Sequence, residues 1–264
     1  MELGLKGKRA VLMASSRGLG LGIGRALVHE GVDVLLMGRD ETQLATAKAR
    51  LNSAGLGRCC TLCADQTQPD WDQRVKYAVS MHLGSADILL LNSGGPDMGN
   101  ALEVGDNTWR ASFEAMVLAP IRLARVLVPE MKARRWGRVL AITASSVAQP
   151  IPALAVSNTM RAALTNWLKT LASEVAADGV TVNTIVPGRI LTDRVDFLDR
   201  SAAARLGVPS EDVHRAAVSA IPAGRDGTSE EFASAAVFLA SAAASYITGS
   251  AIRVDGGMIR SPMS

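Results

Sequence analysis

Six consecutive residues, Ser15-Ser16-Arg17-Gly18-Leu19-Gly20, combine small size, backbone freedom and one cation, and Gly22 and Gly24 follow closely. Such a run lets the main chain approach an anion, and a helix beginning there offers unpaired N–H groups and a positive dipole end. That chemistry needs a particular setting. An apolar run opens the stretch 10–31, the small residues turn it, and helical periodicity carries it on to Glu30 and Gly31. A strand, a tight turn and a helix in this order form the unit that grips the pyrophosphate of a dinucleotide.

A second cation, Arg39, follows Gly38 at the end of the next apolar run. An acidic residue there would hydrogen-bond a ribose 2′-OH, whereas an arginine accommodates a 2′-phosphate. With Arg17 as a second positive charge, the pattern favours NADP(H) over NAD(H). Further polar groups lie at later strand ends. Asp65 and Gln66 suit an adenine edge. Asn92, Ser93 and Gly94 form a turn that brings backbone close to a ribose. After Pro187 and Gly188, the Ile190 backbone and the Thr192 side chain suit a carboxamide.

The elements that must carry these groups follow from apolar spacing. The first strand starts at residue 10, and others are predicted at 32–37, 58–63, 87–91, 138–143, 180–186 and 251–254. Helices are predicted over 41–52, 71–83, 108–133, 152–177 and 229–243. Strict alternation implies an α/β fold: a Rossmann-type, doubly wound parallel sheet of about seven strands with helices on both faces. No linker interrupts it, so 1–264 reads as one dinucleotide-binding domain. Ligands in such sheets bind beyond the carboxyl ends of the strands, where all the candidates above fall. The segment 193–220 mixes Val195, Phe197, Leu198, Leu206 and Val208 with Asp196, Asp199, Arg200 and Arg205, and reads as a substrate lid.

The 264 residues carry a formal net charge of +3. The basic residues are dispersed, so no nucleic-acid partner is expected. The densest cluster, Lys132, Arg134, Arg135 and Arg138, falls where a helix should end, and its cations complement the helix dipole there. No apolar run reaches membrane-spanning length, and the opening residues lack a charged-then-apolar signal, so the expectation is a cytoplasmic protein. Cys59, Cys60 and Cys63 are odd in number and lack a nearby fourth ligand, so neither a disulfide framework nor a metal site is expected.

Together, Ser15-Ser16-Arg17-Gly18-Leu19-Gly20, Asp65, Asn92-Ser93-Gly94, Val182-Asn183-Thr184-Ile185-Val186-Pro187-Gly188, and Tyr246-Ile247-Thr248-Gly249 with Val254-Asp255-Gly256-Gly257 resemble the short-chain dehydrogenase/reductase family. The similarity spans nearly the whole chain and is greatest to the 3-oxoacyl-(acyl-carrier-protein) reductase-like members. It implies interconversion of a small or medium carbonyl/alcohol pair. It also implies a homo-oligomer, a tetramer or dimer, built through the long fourth and fifth helices and the C-terminal strands. Two cofactor positions depart from the family pattern: Ala14 replaces a glycine, and Leu91-Asn92 replaces an asparagine pair. The catalytic pattern departs further. The family uses a tyrosine acid, a lysine four residues later, an upstream serine and an asparagine in the fourth helix. Aligning Arg161-Ala162-Ala163-Leu164 with the family's Lys-Ala-Ala-Leu puts Ser157 at the tyrosine and Arg161 at the lysine. The serine position falls on Ala144, beside Ser145 and Ser146, and the asparagine position holds Met116.

Carbonyl reduction needs a hydride at carbon and a proton at oxygen. A phenol of pKa about 10, lowered by an ammonium neighbour, can supply that proton; a serine is a far weaker acid and an arginine keeps its proton. The only tyrosines, Tyr77 and Tyr246, lie in other segments. Three readings follow. In the favoured one, Ser145, Ser157 and Arg161 form an altered catalytic set. Arg161 holds the nicotinamide ribose and stabilises an oxyanion, Ser145 or Ser146 bonds the carbonyl, and water carries the proton. In the second, the acid comes from the segment after Thr192, where His214 lies. In the third, the chain binds NADP(H) as a sensor or scaffold without catalysis. A decayed site would fill with apolar residues, and the polar Ser157 and Arg161 favour the first.

Overall fold

In the computed structural model, which describes residues 2–261, the five inner strands are largely aliphatic runs buried on both faces, the signature of a parallel sheet covered by helices, and the two edge strands are only partly buried. In chain order the elements are β1 (Arg9–Leu12), α1 (Gly18–His29), β2 (Asp33–Gly38), α2 (Glu41–Ala54), β3 (Cys59–Cys63), α3 (Trp71–His82) and β4 (Ile88–Leu91). Next come α4 (Asp106–Phe113), α5 (Ala119–Ala133), β5 (Gly137–Ile142), α6 (Ala155–Val175), β6 (Val180–Pro187), α7 (Asp193–Leu206), α8 (Ser210–Ser219), α9 (Ser229–Ala240) and β7 (Ala251–Val254). The seven strands are parallel in the order β3-β2-β1-β4-β5-β6-β7. Strand order reverses between β1 and β4, where Val11 is paired with Leu35 on one side and Leu89 on the other. A ligand crevice forms at the carboxyl ends around such a reversal.

Alternate residues of each strand feed two cores. Leu12, Leu36 and Leu90 pack with Ile23 and Leu27 of α1 and Phe232 of α9. Val11, Leu35 and Leu89 pack with Trp71 of α3, Leu123 of α5 and Leu164 of α6. Two helices differ from the sequence expectation. The stretch expected as one helix over 108–133 is α4 and α5 joined by a π-helical segment, Glu114–Leu118. The helix expected from residue 152 starts at Ala155, because Ala153 is left-handed with φ +59° and breaks the run before it.

The basic cluster is held internally throughout. Lys132 pairs with Asp178 at 3.1 Å, Arg134 with Asp87 at 3.4 Å, and Arg135 donates to Ala177 O at 3.0 Å. Arg138 donates to Ser241 O at 3.1 Å and stacks 4.5 Å from the Trp136 ring. Burial pushes the Cys59 thiol up to about 12, which leaves it inert at neutral pH. Among the described residues no helix is long and apolar enough to cross a membrane.

Candidate active site

The turn after β1 is built from the inside out. Met13 N donates to Leu90 O at 3.0 Å and Ser15 N to Met37 O at 2.7 Å, tying the turn to both neighbouring strands. Ser15 is wholly buried and its Oγ donates to Met13 O at 2.8 Å, so this hydroxyl shapes the turn from within. A Cβ on Gly20 would lie 2.4 Å from Ser15 Oγ, so only glycine lets α1 pack this close. Gly18 has φ +57°, and Ala14, the alanine in a family glycine position, takes φ +47°. The alanine methyl is therefore felt as backbone strain, and Asn92 Nδ2 supports the position by donating to Ala14 O at 2.9 Å. Arg17 precedes the helix in extended conformation, and no side chain caps the first turn beginning Gly18-Leu19-Gly20. Those N–H groups are free for an anion.

At the ends of β2 and β3, Arg39 is exposed and its charge reaches Asp65. Burial opposes ionisation of Asp65, but hydrogen bonds from Thr67 and the Arg39 charge outweigh it and hold the carboxyl below its usual range. Ser16 lines the same end, 3.0 Å from the point a Gly38 Cβ would occupy. Three placements depart from the sequence reading or go beyond it. Gln66, expected at an adenine edge, turns its Nε2 to Ala115 O at 2.7 Å, because the π-helical segment interrupts the normal ladder there. Arg17, expected to assist Arg39, lies 4.0 Å from Asp193 at the start of α7. Arg74 of α3, which spacing gave no reason to single out, donates to Cys63 O at 3.0 Å and adds a cation beside the β3 end.

Arg161, in the second turn of α6, is 7 % exposed. Its Nη1 donates to Ile142 O at 2.7 Å and its Nη2 to Ser93 O at 3.3 Å, so it spans the ends of β5 and β4. Its Nε has no partner. Burial, with the charge of Arg194 adding to it, pushes the guanidinium down to about 10, so it stays protonated at neutral pH. Around it the hydroxyls of Ser93, Thr143 and Ser146 are buried without partners. Ser145 opens a 3-10 turn, Ser145–Val147, and Ser157 lies half-buried in the first turn of α6. Neither hydroxyl makes a hydrogen bond among the described residues. Asn158 instead folds back, its Nδ2 donating to Ile151 O at 2.9 Å. Met116 lies in the π-helical segment, sealed by Val117, Val156 and Met160. Tyr77 and Tyr246 are exposed on other elements.

Beyond β6, Gly188 N donates to Val254 O at 2.9 Å, and a Cβ there would meet Asp255 Cα at 2.5 Å. This close packing fixes where the chain leaves Pro187. The Ile190 side chain is buried in the core, and Thr192, whose Oγ1 donates to Ile190 O at 3.3 Å, precedes α7. The segment 193–220 holds two helices, α7 and α8, with left-handed Gly207 ending the first. Arg189 anchors them, donating to Asp199 Oδ1 at 2.8 Å and pairing with Asp226 at 2.7 Å. His214, a sequence candidate for the acid, is held in this anchor, 3.5 Å from Asp199 and 3.6 Å from Asp226. Arg189 Nη2 also lies 3.0 Å from its Nδ1, so the half-exposed ring faces this cluster.

A family model described as enoyl-(acyl carrier protein) reductase matches residues 13–259. The 3-oxoacyl-[acyl-carrier-protein] reductase FabG of Salmonella typhimurium is 32 % identical over 97 % of this chain and 99 % of its own length. Among solved structures, the L-sorbose reductase of Gluconobacter frateurii complexed with NADPH and L-sorbose superposes with TM-score 0.93. The two share 34 % identity over 99 % of this chain and 100 % of that one. YwfH, described as an NADPH-dependent reductase involved in bacilysin biosynthesis, superposes with TM-score 0.91 at 26 % identity, covering 96 % and 99 % of the two chains.

Proposed function

The chain belongs to the short-chain dehydrogenase/reductase family, and from that premise we propose that it uses NADP(H), in preference to NAD(H), to interconvert a carbonyl and an alcohol through a proton-transfer site built on Arg161. The residues present fit a dinucleotide. The first turn of α1 is uncapped, and a Cβ on Gly94 would meet nothing within 4 Å, so there is room beside the β4 end. Arg39, with Arg74 near it, supports a 2′-phosphate, and the two relatives described above as NADPH-bound or NADPH-dependent agree with that choice. Gly18, Leu19 and Gly20 would hold the pyrophosphate, Asp65 the adenine, Asn92 to Gly94 a ribose, and Ile190 with Thr192 the carboxamide. When bound, the cofactor supplies the hydride.

The observation that carries the reading is the buried, protonated Arg161 among unpartnered hydroxyls. In this reading its guanidinium is a fixed donor for negative charge developing on a carbonyl oxygen, and its position at the ends of β4 and β5 supports a role beside the ribose. It cannot release its proton near neutrality. Water supplies the proton instead, with Ser157 or Ser145 orienting it. The protein acts as a homo-oligomer in this reading, which light scattering would test. The sealed Met116 in a position where relatives carry an asparagine favours a second reading, a nucleotide binder without turnover. Following NADPH oxidation across a panel of ketones, aldehydes and oxo acids separates the two: turnover of any of them supports the enzyme, and tight NADPH binding with none supports the binder.

A further inference from the structure

The loop 92–96 after β4 is held by two guanidinium groups. Arg161 donates to Ser93 O from α6, and Arg194, in the first turn of α7, donates to Pro96 O at 2.9 Å. A Cβ on Gly95 would lie 2.9 Å from Arg194 Nη2, so the guanidinium lies directly against this backbone. Arg194 is close enough to Arg161 that its charge acts on the Arg161 guanidinium. Neither has a carboxylate within ion-pair distance among the described residues; Asp97 acts on Arg194 only at longer range. Elsewhere, buried or half-buried arginines pair with carboxylates, Arg9 and Arg134 with Asp87 and Arg189 with Asp199 and Asp226, whereas Arg138 and Arg194 lie over aromatic rings instead, Trp136 at 4.5 Å and Phe197 at 5.3 Å. Two like charges gathered at one loop without a counter-charge are costly unless a ligand brings the anion.

Resting on the oxidoreductase reading above, we propose that the substrate is itself an anion, a small oxo acid or the corresponding hydroxy acid, whose carboxylate seats on Arg194 while its carbonyl oxygen faces Arg161. The planar fork of Arg194 suits a carboxylate held through two parallel hydrogen bonds. Arg194 belongs to α7, so the carboxylate would also tie the lid to the loop after β4. The chemistry balances as a reduction. The carbonyl π bond breaks, the carbon gains the hydride as NADPH is oxidised to NADP+, the oxygen takes a proton from water, and the product is the hydroxy acid. Arg161 meets the developing oxyanion and Arg194 the spectator carboxylate, so the two arginines divide turnover and recognition between them.

The test compares 2-oxobutanoate and 3-oxobutanoate with their methyl esters in NADPH oxidation, and measures binding of the two acids to the protein saturated with NADP+ by calorimetry. The proposal expects kcat/KM for at least one acid to exceed that for its ester by tenfold or more. Arg194→Met should collapse that ratio toward one, and Arg194→Lys should restore part of it, with folding of each variant checked by circular dichroism. Equal use of acid and ester, or a ratio that survives Arg194→Met, overturns the proposal and leaves the oxidoreductase reading standing. Acid binding that Arg194→Met abolishes, without turnover of any carbonyl, supports the anion site and overturns the oxidoreductase reading. Neither binding nor turnover of either acid overturns the proposal.

Discussion

Replacing Arg161 with methionine keeps the aliphatic stem and removes the charge. Burial pushes the guanidinium from its ordinary value down to about 10, which means that keeping this cation buried costs the folded state about 3 kcal/mol. The sign is fixed by linkage: below about 10 the group is charged in both folded and unfolded chains, the full penalty applies, and it fades only as pH rises from there toward the guanidinium's ordinary value. Against this, Arg161→Met loses two hydrogen bonds to the carbonyls of Ile142 and Ser93, the second long at 3.3 Å. At about 1.5 kcal/mol each, the low end for charged donors, these offset the relieved penalty. The variant should therefore unfold in urea with a free energy within about 1 kcal/mol of the parent, with the difference flat between pH 6 and 9. Its turnover of whichever carbonyl the screen identifies should fall by about two to three orders of magnitude, as for loss of an oxyanion donor. A stability loss above about 3 kcal/mol would make Arg161 a structural clasp between β4 and β5, and turnover within threefold of the parent would remove it from the mechanism.

Arg39→Asp should weaken NADPH by about ten- to hundredfold and leave NADH nearly unchanged in calorimetric titrations; equal losses for both would sink the 2′-phosphate assignment. Asp199→Asn should cost about 2–3 kcal/mol and open the 193–219 segment to protease, since it removes the charge and one acceptor of the buried Asp199 that half-buried Arg189 pairs with. The hydrogen bond from Arg189 holds the Asp199 carboxyl below its ordinary value, so its contribution is complete above the usual carboxylate range and lost as pH falls below it. Protease resistance of the segment should decline with acidification in the parent and much less in the variant. Ala14→Gly should stabilise by about 0.5 kcal/mol in urea unfolding, relief of the left-handed strain at φ +47° exceeding the added chain entropy; a destabilised variant would show that the alanine methyl packs favourably.

The sheet was legible because each strand is a short apolar run followed by turn residues, and the alternation with helices admits few topologies. The glycine turn was legible because helix N-terminus and close packing require small residues at fixed offsets. Side-chain direction was not. Gln66 stands at the strand end that suits an adenine, yet a π-helical carbonyl at Ala115, far along the chain, captures its amide. Arg17 has the right charge in the right turn, yet lies near Asp193 at the start of α7. The segment 193–220 read as a mixture because α7 and α8 are held at an ion cluster of Arg189, Asp199, Asp226 and His214, with few of the apolar contacts that leave a periodic trace. Arg74 and Arg194 were overlooked for the same reason. Each is an ordinary helical arginine until the fold sets it against Cys63 O or the 92–96 loop.

The central claim is an NADP(H) site at the carboxyl ends of β1 to β6, and calorimetric titration of the purified protein with NADPH and, separately, NADH tests it most directly. The account predicts tight NADPH binding with NADH at least about tenfold weaker, the difference set by the 2′-phosphate on Arg39. Equal affinity for the two would contradict the phosphate assignment, and binding of neither would mean that the strained turn at Ala14 has closed the site and that the oxidoreductase reading falls with it.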